Sequence, residues 1–411
     1  MSLKAAARAH TSVQREACRA ASGTFCAGYQ PVLAVLKLVT ALILLTTAGC
    51  VPSWEAVLVD GHGTSIPITR ETVRELAEFA GDDGSVPLER ILYKNGYRVI
   101  EALEVTTLDD RRLSYVWADH AETASWHLDG TLQLGSQAVQ PRQVAAVPPA
   151  LPAPLTTGLL DIAPTVSAVL GLPAPASATG RALTLVAGGG VAPRHVALIF
   201  LDGFGYIRYI EALEAGLIPH LSALDPPALG LAAYPPATSV SSAALLTGAP
   251  PDANGVVTRG IRTTDIETIF DVVAAAGLRS VAVEGNALAF NLRNTEVILS
   301  GDRDGDGSTD DNVLANALAV LEQGMPDLLW VHFHGIDDAG HTYGPDAPEE
   351  RAKIKEVDAA VGDLISALPP HTAVLIFADH GMHSVQEEGR SGNHGNLIDR
   401  DMLVPIWAFI R

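Results

Sequence analysis

The chain has 411 residues, of which 48% are hydrophobic and 18% charged, and its formal net charge is −20. That length and apolar share admit two or three domains and exclude a globally disordered chain. The acidic excess disfavours nucleic-acid binding, whereas a small phosphorylated substrate stays open wherever cations reverse the field locally. The three cysteines, Cys18, Cys26 and Cys50, lie near the N-terminus and form no zinc-type cluster.

Residues 1–30 are polar and basic, with Lys4, Arg8, Arg15 and Arg19. An apolar run follows from Val32 to Ala48, interrupted by Lys37, and ends in Ala48-Gly49-Cys50. A basic region, a short apolar stretch and small residues read as a secretory signal. The small residues before Cys50 resemble a bacterial lipoprotein signal, with the cysteine as the lipid-bearing residue. An uncleaved membrane anchor or plain cleaved secretion are the alternatives, since the run is near the lower limit for a span. Segment 1–50 is thus expected to place the body outside the cytoplasm, and the lipid or anchor to hold it at a membrane.

Residues 54–140 carry strand-like pieces at Val57–Val59, Ile100–Thr106 and Leu113–Trp117, rich in β-branched and aromatic residues. Asp109-Asp110 and Asp129-Gly130 suit hairpin turns. Thr69–Phe79 reads as a short helix capped by Thr69 or Thr72. These signals predict a small α+β module. Residues 141–156, with Pro148, Pro149, Pro152 and Pro154, read as a linker.

From Arg194 the pattern becomes α/β. Short apolar runs at His195–Leu201, Ser280–Val283, Leu328–Phe333, Ala373–Phe377 and Leu403–Phe409 read as strands. They alternate with helical stretches at Ile207–Ala215, Ser239–Leu246, Thr268–Ala276, Asn312–Glu322 and Pro348–Leu368. Doubly buried strands separated by helices predict a mostly parallel sheet flanked by helices. In such sheets ligands bind beyond the C-terminal strand ends, and the chemical motifs fall there. Asp202-Gly203 follows the first strand, Asp337-Asp338-Ala339-Gly340-His341 the third, and Asp379-His380-Gly381 the fourth. Asn393-His394-Gly395 precedes the last strand. Asp and His are the usual hydrolytic zinc ligands, and a mixed set also tolerates manganese or iron. Tyr234-Pro235-Pro236-Ala237-Thr238 keeps the chain extended up to a helix start, where a hydroxyl faces free amides and the positive dipole end.

These motifs, in this order, resemble the alkaline phosphatase superfamily, and most of all its type I phosphodiesterases and nucleotide pyrophosphatases. The resemblance implies a two-metal hydrolase of phosphoesters or phosphonates that works through a phospho-threonine on Thr238. One cation would take Asp337, His341 and His394; the other would take Asp202, Asp379 and His380, with Thr238 turned toward both. Ser241 stands three residues after Thr238, where those phosphodiesterases carry asparagine, so substrate preference is not carried over. Asp161-Ile162-Ala163-Pro164-Thr165 and Leu170-Gly171-Leu172-Pro173 resemble a segment that usually follows the last metal histidine. Here it precedes the first motif, which implies a circularly permuted catalytic domain over residues 157–411.

His332 and His334 share a strand face and His383 lies one helical turn from His380, which makes them candidates for orienting ligands. Asp302, Asp304 and Asp306, continuing to Asp310, resemble a calcium loop; the alternative is a solvated turn capping the helix at Asn312. A phosphomutase of the same superfamily and a non-catalytic surface-anchored binding protein remain as other functions. Composition does not fix the oligomeric state.

Overall fold

The region after Trp54 alternates buried and exposed positions, and it folds as β1 (Glu55–Val59), β2 (Ser65–Thr69), α1 (Arg70–Glu75), β3 (Val86–Pro87), α2 (Leu88–Lys94), β4 (Ala102–Thr107), β5 (Arg112–Val116), β6 (Ser125–Trp126), β7 (Leu132–Leu134), β8 (Gln137–Val139) and β9 (Pro141–Val147). The computed structural model describes residues 54–59, 64–76, 80–81, 83–185, 192–303, 305 and 307–411. Segment 1–50, and with it the signal or anchor, lies outside the described residues, as do Asp304 and Asp306.

Strands β2-β1-β9-β4-β5 form one sheet and β3-β6-β7-β8 a second. Both expected hairpins are present, with Asp109-Asp110 joining β4 to β5 and Asp129-Gly130 joining β6 to β7. Asp110 takes φ 63°, a conformation that its short polar side chain tolerates. Thr69 rather than Thr72 is the N-cap of α1, and the two residues exchange side-chain-to-amide hydrogen bonds.

One boundary is corrected. Residues 141–147, read from composition as the start of the linker, form β9, the central strand of the first sheet. Val144 and Ala146 are buried there, and Pro141 stands at the first residue of the strand, where a missing amide is tolerated. Irregular chain begins only at Pro148. Trp54–Arg411 forms one compact unit, so this region is not set apart from the larger α/β portion.

The rest of the chain comprises β10 (Thr157–Gly158), α3 (Ile162–Leu170), β11 (His195–Leu201), α4 (Tyr206–Glu214), β12 (Ala228–Leu231), α5 (Thr238–Thr247), α6 (Pro251–Asn254), α7 (Ile269–Ala275), β13 (Ser280–Glu284), β14 (Glu296–Leu299), α8 (Asp310–Gln323), β15 (Leu328–Phe333), α9 (Gly335–Tyr343), α10 (Pro348–Ala367), β16 (Thr372–Phe377), β17 (His383–Glu387), β18 (Arg390–Asn393), α11 (Asp399–Met402) and β19 (Leu403–Ile410). The main sheet has the order β10-β12-β19-β16-β11-β15-β13-β14. Strands β16, β11, β15, β13 and β14 run parallel, and β19 runs antiparallel to β16 and β12. This is the mixed α/β architecture with a large sheet flanked by helices that the apolar runs predict. Val196 to Leu201 are wholly buried, and each such large side chain contributes roughly 1.5–3 kcal/mol of transfer free energy. Among the described residues no helix is long and apolar enough to cross a membrane.

Candidate metal centre and nucleophile

Three neighbouring strands, β16, β11 and β15, end side by side, and their next residues converge. Asp202 follows β11, His380 comes three residues after β16, and Asp337 lies in the first turn of α9, just past β15. Glycines permit the approach: Gly203 has φ +72°, and a Cβ there would lie 3.0 Å from Asp337 atoms. The β17–β18 hairpin carries the chain back to His394.

The donors fall into two groups. Asp337 Oδ2 lies 3.2 Å from His341 Nε2, and Asp337 Oδ1 lies 3.8 Å from His394 Nε2. Donor atoms of Asp202, Asp337 and His380 also lie within 4.8 Å of one another. Asp379 Oδ2 joins this group at 3.1 Å from His380 Nε2. The rings of His380 and His394 stack 3.7 Å apart, so the two groups adjoin.

Each imidazole is oriented by its far nitrogen. Nδ1 of His380 lies 3.0 Å from the Gly381 carbonyl, that of His394 2.8 Å from the Pro236 carbonyl, and that of His341 2.8 Å from the Gly392 carbonyl. Carbonyls fix the Nδ1–H tautomer, which leaves the Nε2 lone pairs of His380 and His394 for a cation. Burial pushes His380 down to about 4 and His394, helped by His380, down to about 3, so both are neutral and ready to ligate at pH 7. His341 also meets Arg390, whose Nη2 lies 2.9 Å from each of its ring nitrogens.

The carboxylates fit a metal pair. Asp202 Oδ1, Asp337 Oδ1 and Asp379 Oδ2 are buried oxygens without a hydrogen-bond donor. Leaving such oxygens bare is costly, and divalent cations are the partners that this many adjacent carboxylates call for. Asp379 is driven well above the usual carboxylate range by burial and then by the charges of Asp202 and Asp337. Burial opposes the charge on Asp202 too, but hydrogen bonds from His332 and His334 hold its carboxyl well below that range.

Thr238 is the first residue of α5, after Ala237 in extended geometry as N-cap. Its Oγ1 lies 3.3 Å from His380 Nε2 and sits at the helix end that offers free amides. Ser241 is fully buried and its hydroxyl donates to the Asp379 carbonyl at 2.9 Å, so it braces a ligand strand. Sequence reading missed Arg259, which is exposed beside the site and donates to the His394 carbonyl at 2.8 Å. No local pattern marks it, because its loop has no periodicity.

Asp338 is exposed on α9. His383 faces Asp401, 2.9 Å away. Asp310 is buried and its carboxylate accepts the amides of His334 and Gly335, while Asp302 accepts those of Gly305 and Gly307. Asp310 therefore braces the start of α9.

Residues 264–406 match the family "Type I phosphodiesterase / nucleotide pyrophosphatase". Among curated proteins, the catalytic subunit of GPI ethanolamine phosphate transferase 3 from Homo sapiens is 28% identical over 121 residues, 29% of this chain and 10% of that protein. An uncharacterized pyrophosphatase/phosphodiesterase of Schizosaccharomyces pombe is 36% identical over 70 residues, 16% of this chain and 14% of that one. The matched stretch thus spans about a tenth of the length of the first such relatives. Among solved structures, phosphonoacetate hydrolase from Sinorhizobium meliloti 1021 has 19% identity and a TM-score of 0.39, covering 50% of this chain and 60% of that one. Murine ectonucleotide pyrophosphatase / phosphodiesterase 5 has 18% identity and a TM-score of 0.38, covering 47% and 59%.

Proposed function

We propose that this chain, type I phosphodiesterase / nucleotide pyrophosphatase-like over residues 264–406, is a two-metal hydrolase of small phosphoesters with Thr238 as nucleophile. The observation that carries the reading is the set of three bare carboxylate oxygens beside Thr238 Oγ1 and the Nε2 atom of His380. Asp337, His341 and His394 would hold one divalent cation, and Asp202, Asp379 and His380 the other. Zinc suits the donors best, and manganese or iron would also be accepted. Bound there, the cations supply charge neutralisation for the phosphoryl oxygens and a lowered pKa for the attacking hydroxyl.

The protein's own groups do the rest. Free amides at the start of α5 orient the phosphoryl group, and Arg259 adds a cation at the mouth. Thr238 Oγ1 forms a bond to phosphorus as the ester oxygen departs in line, which gives a phospho-threonine. Water then attacks phosphorus, the threonine oxygen leaves, and the phosphorylated product is released. The names of the curated relatives support a second reading in which an alcohol replaces water as acceptor.

The segment order supports a circular permutation. Strand β10 joins the main sheet beside β12, and Thr157 and Ile410 line one surface cavity, so the two ends of region 157–411 lie near each other. The signal-like segment supports a body held outside the cytoplasm on a lipid or anchor.

The test is turnover of p-nitrophenyl phosphate and its bis-ester by metal-reconstituted protein, with and without chelator. Radiolabel from a phosphate-labelled substrate trapped on Thr238 in an acid quench is the expected result. Chelator-insensitive turnover, or label elsewhere, would refute the assignment, and faster product release with added alcohol would favour transfer.

A further inference from the structure

A cavity of 440 Å³ lies away from the metal centre, and none of the candidate metal ligands lines it. It touches the nucleophile segment on both sides. Ala232 and Ala233, on the stretch that leads into Thr238, form part of its wall, and so do Pro250 and Pro251, just past the Gly248 that ends α5. Two arginines from distant parts of the chain complete it: Arg98, after α2, and Arg181, in the stretch before β11.

Both guanidinium groups are left over. Acidic residues outnumber basic ones 47 to 27, so carboxylates are in excess, yet among the described residues neither Arg98 nor Arg181 is paired with one. Arg98 Nη1 donates to the Tyr93 and Tyr97 carbonyls at 3.0 and 2.9 Å, and its guanidinium lies 4.4 Å from the Tyr93 ring centroid. Those contacts fix the group and leave Nε and Nη2 to donate elsewhere. Arg181 is fixed through its backbone. Its amide donates to Asp161 Oδ1 at 2.7 Å, and the amides of Thr179 and Gly180 both donate to the Gly248 carbonyl, at 2.8 and 3.2 Å. Asp161 is the one carboxylate in the wall, and the chain's own donors already occupy it: Oδ1 takes the Arg181 amide, and Oδ2 takes the Thr157 hydroxyl at 2.9 Å and the Gly158 amide at 3.0 Å. Two cations against one carboxylate leave the cavity positive in a chain of net charge −20.

We infer that this cavity binds a small organic phosphomonoester, with its phosphoryl group held between Arg98 and Arg181. Planar guanidinium forks match phosphoryl oxygens two at a time, and a dianion satisfies two such groups where a single carboxylate would not. The volume falls in the range of small-ligand pockets and exceeds what bare phosphate fills. Tyr93, Pro250 and Pro251 give the organic part an apolar wall. The Thr156 side chain adds a hydroxyl beside the arginines. Hydrolysis of a phosphodiester at the metal centre would release an anion of this class, so the chain itself would generate the ligand.

The cavity and the metal centre share no residue, so the two can fail separately. Zinc-loaded full-length protein is dialysed against radiolabelled phenylphosphonate, whose carbon–phosphorus bond offers no ester oxygen to expel, and the bound anion is counted. Two equivalents per chain are expected in the parent, one at the cations and one in the cavity. Arg98→Gln and Arg181→Gln should each weaken the second by at least about 10-fold, the loss expected for one hydrogen bond to a charged group, and Arg181→Lys should recover part of it. Arg181 is exposed, so its variants test the site even where Arg98→Gln fails to fold. Two equivalents of undiminished affinity in both glutamine variants would overturn the cavity site. One equivalent in the parent that both variants retain would overturn it too and leave the phosphoesterase reading standing. One equivalent that both variants weaken would uphold the cavity and count against the metal centre, and no binding in the parent would overturn both.

Discussion

Glu89 Oε1 accepts a 2.7 Å hydrogen bond from the Leu397 amide, three residues after His394, while Glu89 Oε2 accepts one at 3.1 Å from the Tyr234 hydroxyl, four residues before Thr238. A buried carboxyl on α2 thereby ties the N-terminal region to both loops of the candidate site. Tyr93 adds a ring contact to Tyr234 with centroids 4.6 Å apart, and Ile100 donates its amide to the Leu397 carbonyl.

Burial drives Glu89 up to about 8 from the ordinary 4.5. The folded state therefore binds this proton more tightly than the unfolded one. Its stabilising contribution is full below about 4.5 and is lost as pH rises through about 8. Glu89→Gln should gain on the parent by on the order of a few kcal/mol between pH 5 and pH 9. Urea titrations at both pH values check this; a pH-independent difference would contradict it. Glu89→Ala strands two buried donors and should cost about 1–3 kcal/mol per unpaired group, with a lower kcat because both loops loosen.

Thr238→Ala should lose at least about 1000-fold in kcat, as expected when a nucleophile is removed, and keep its metal content. Thr238→Ser should retain measurable turnover, because the hydroxyl stays at the helix start. Metal analysis beside steady-state kinetics separates loss of the nucleophile from loss of the centre.

Arg259 reaches the site through the His394 carbonyl without facing a carboxylate partner there. Arg259→Ala should raise KM by about 10- to 100-fold with kcat nearly unchanged, since one charge-assisted contact is worth about 1.5–3 kcal/mol. The effect should shrink as salt is raised. An unchanged KM at low salt would remove Arg259 from substrate binding.

Chelation should destabilise the fold as well as stop turnover. A cation held at 1,000 times its Kd stabilises by about 4 kcal/mol, and Asp202, Asp337 and Asp379 would otherwise keep bare buried oxygens. Calorimetry with and without chelator should show a Tm lowered by several degrees and restored by zinc. Asp379→Asn should narrow that difference.

Arg208 on α4 is buried against Glu350 on α10, with Nε 2.7 Å from Oε1 and further contacts to Asp346 and Glu211. Arg208→Met alone leaves a buried carboxylate and should cost about 3–5 kcal/mol, whereas Arg208→Met with Glu350→Leu should recover most of that. A double-mutant cycle by denaturant unfolding measures the coupling.

The sequence by itself determined the types of donor and their places at strand ends. Apolar runs buried on both faces admit little besides strands, so β11, β13, β15, β16 and β19 were legible, and with them Asp202, Asp337 and Asp379. Thr238 was legible from the prolines before it. Short or edge elements such as β12, β14 and the β17–β18 hairpin carry too few residues for a pattern to emerge, and β9 hid behind Pro141 and the prolines beyond its end. Only the tertiary structure decided that one carboxylate of Asp202 faces both His380 and the pair His332 and His334, that Glu284 stands behind that pair, and that Glu89 reaches Tyr234 and Leu397. Periodicity reports how a residue sits on its own element, whereas these contacts depend on which strands lie side by side, a matter of packing between segments far apart in the chain.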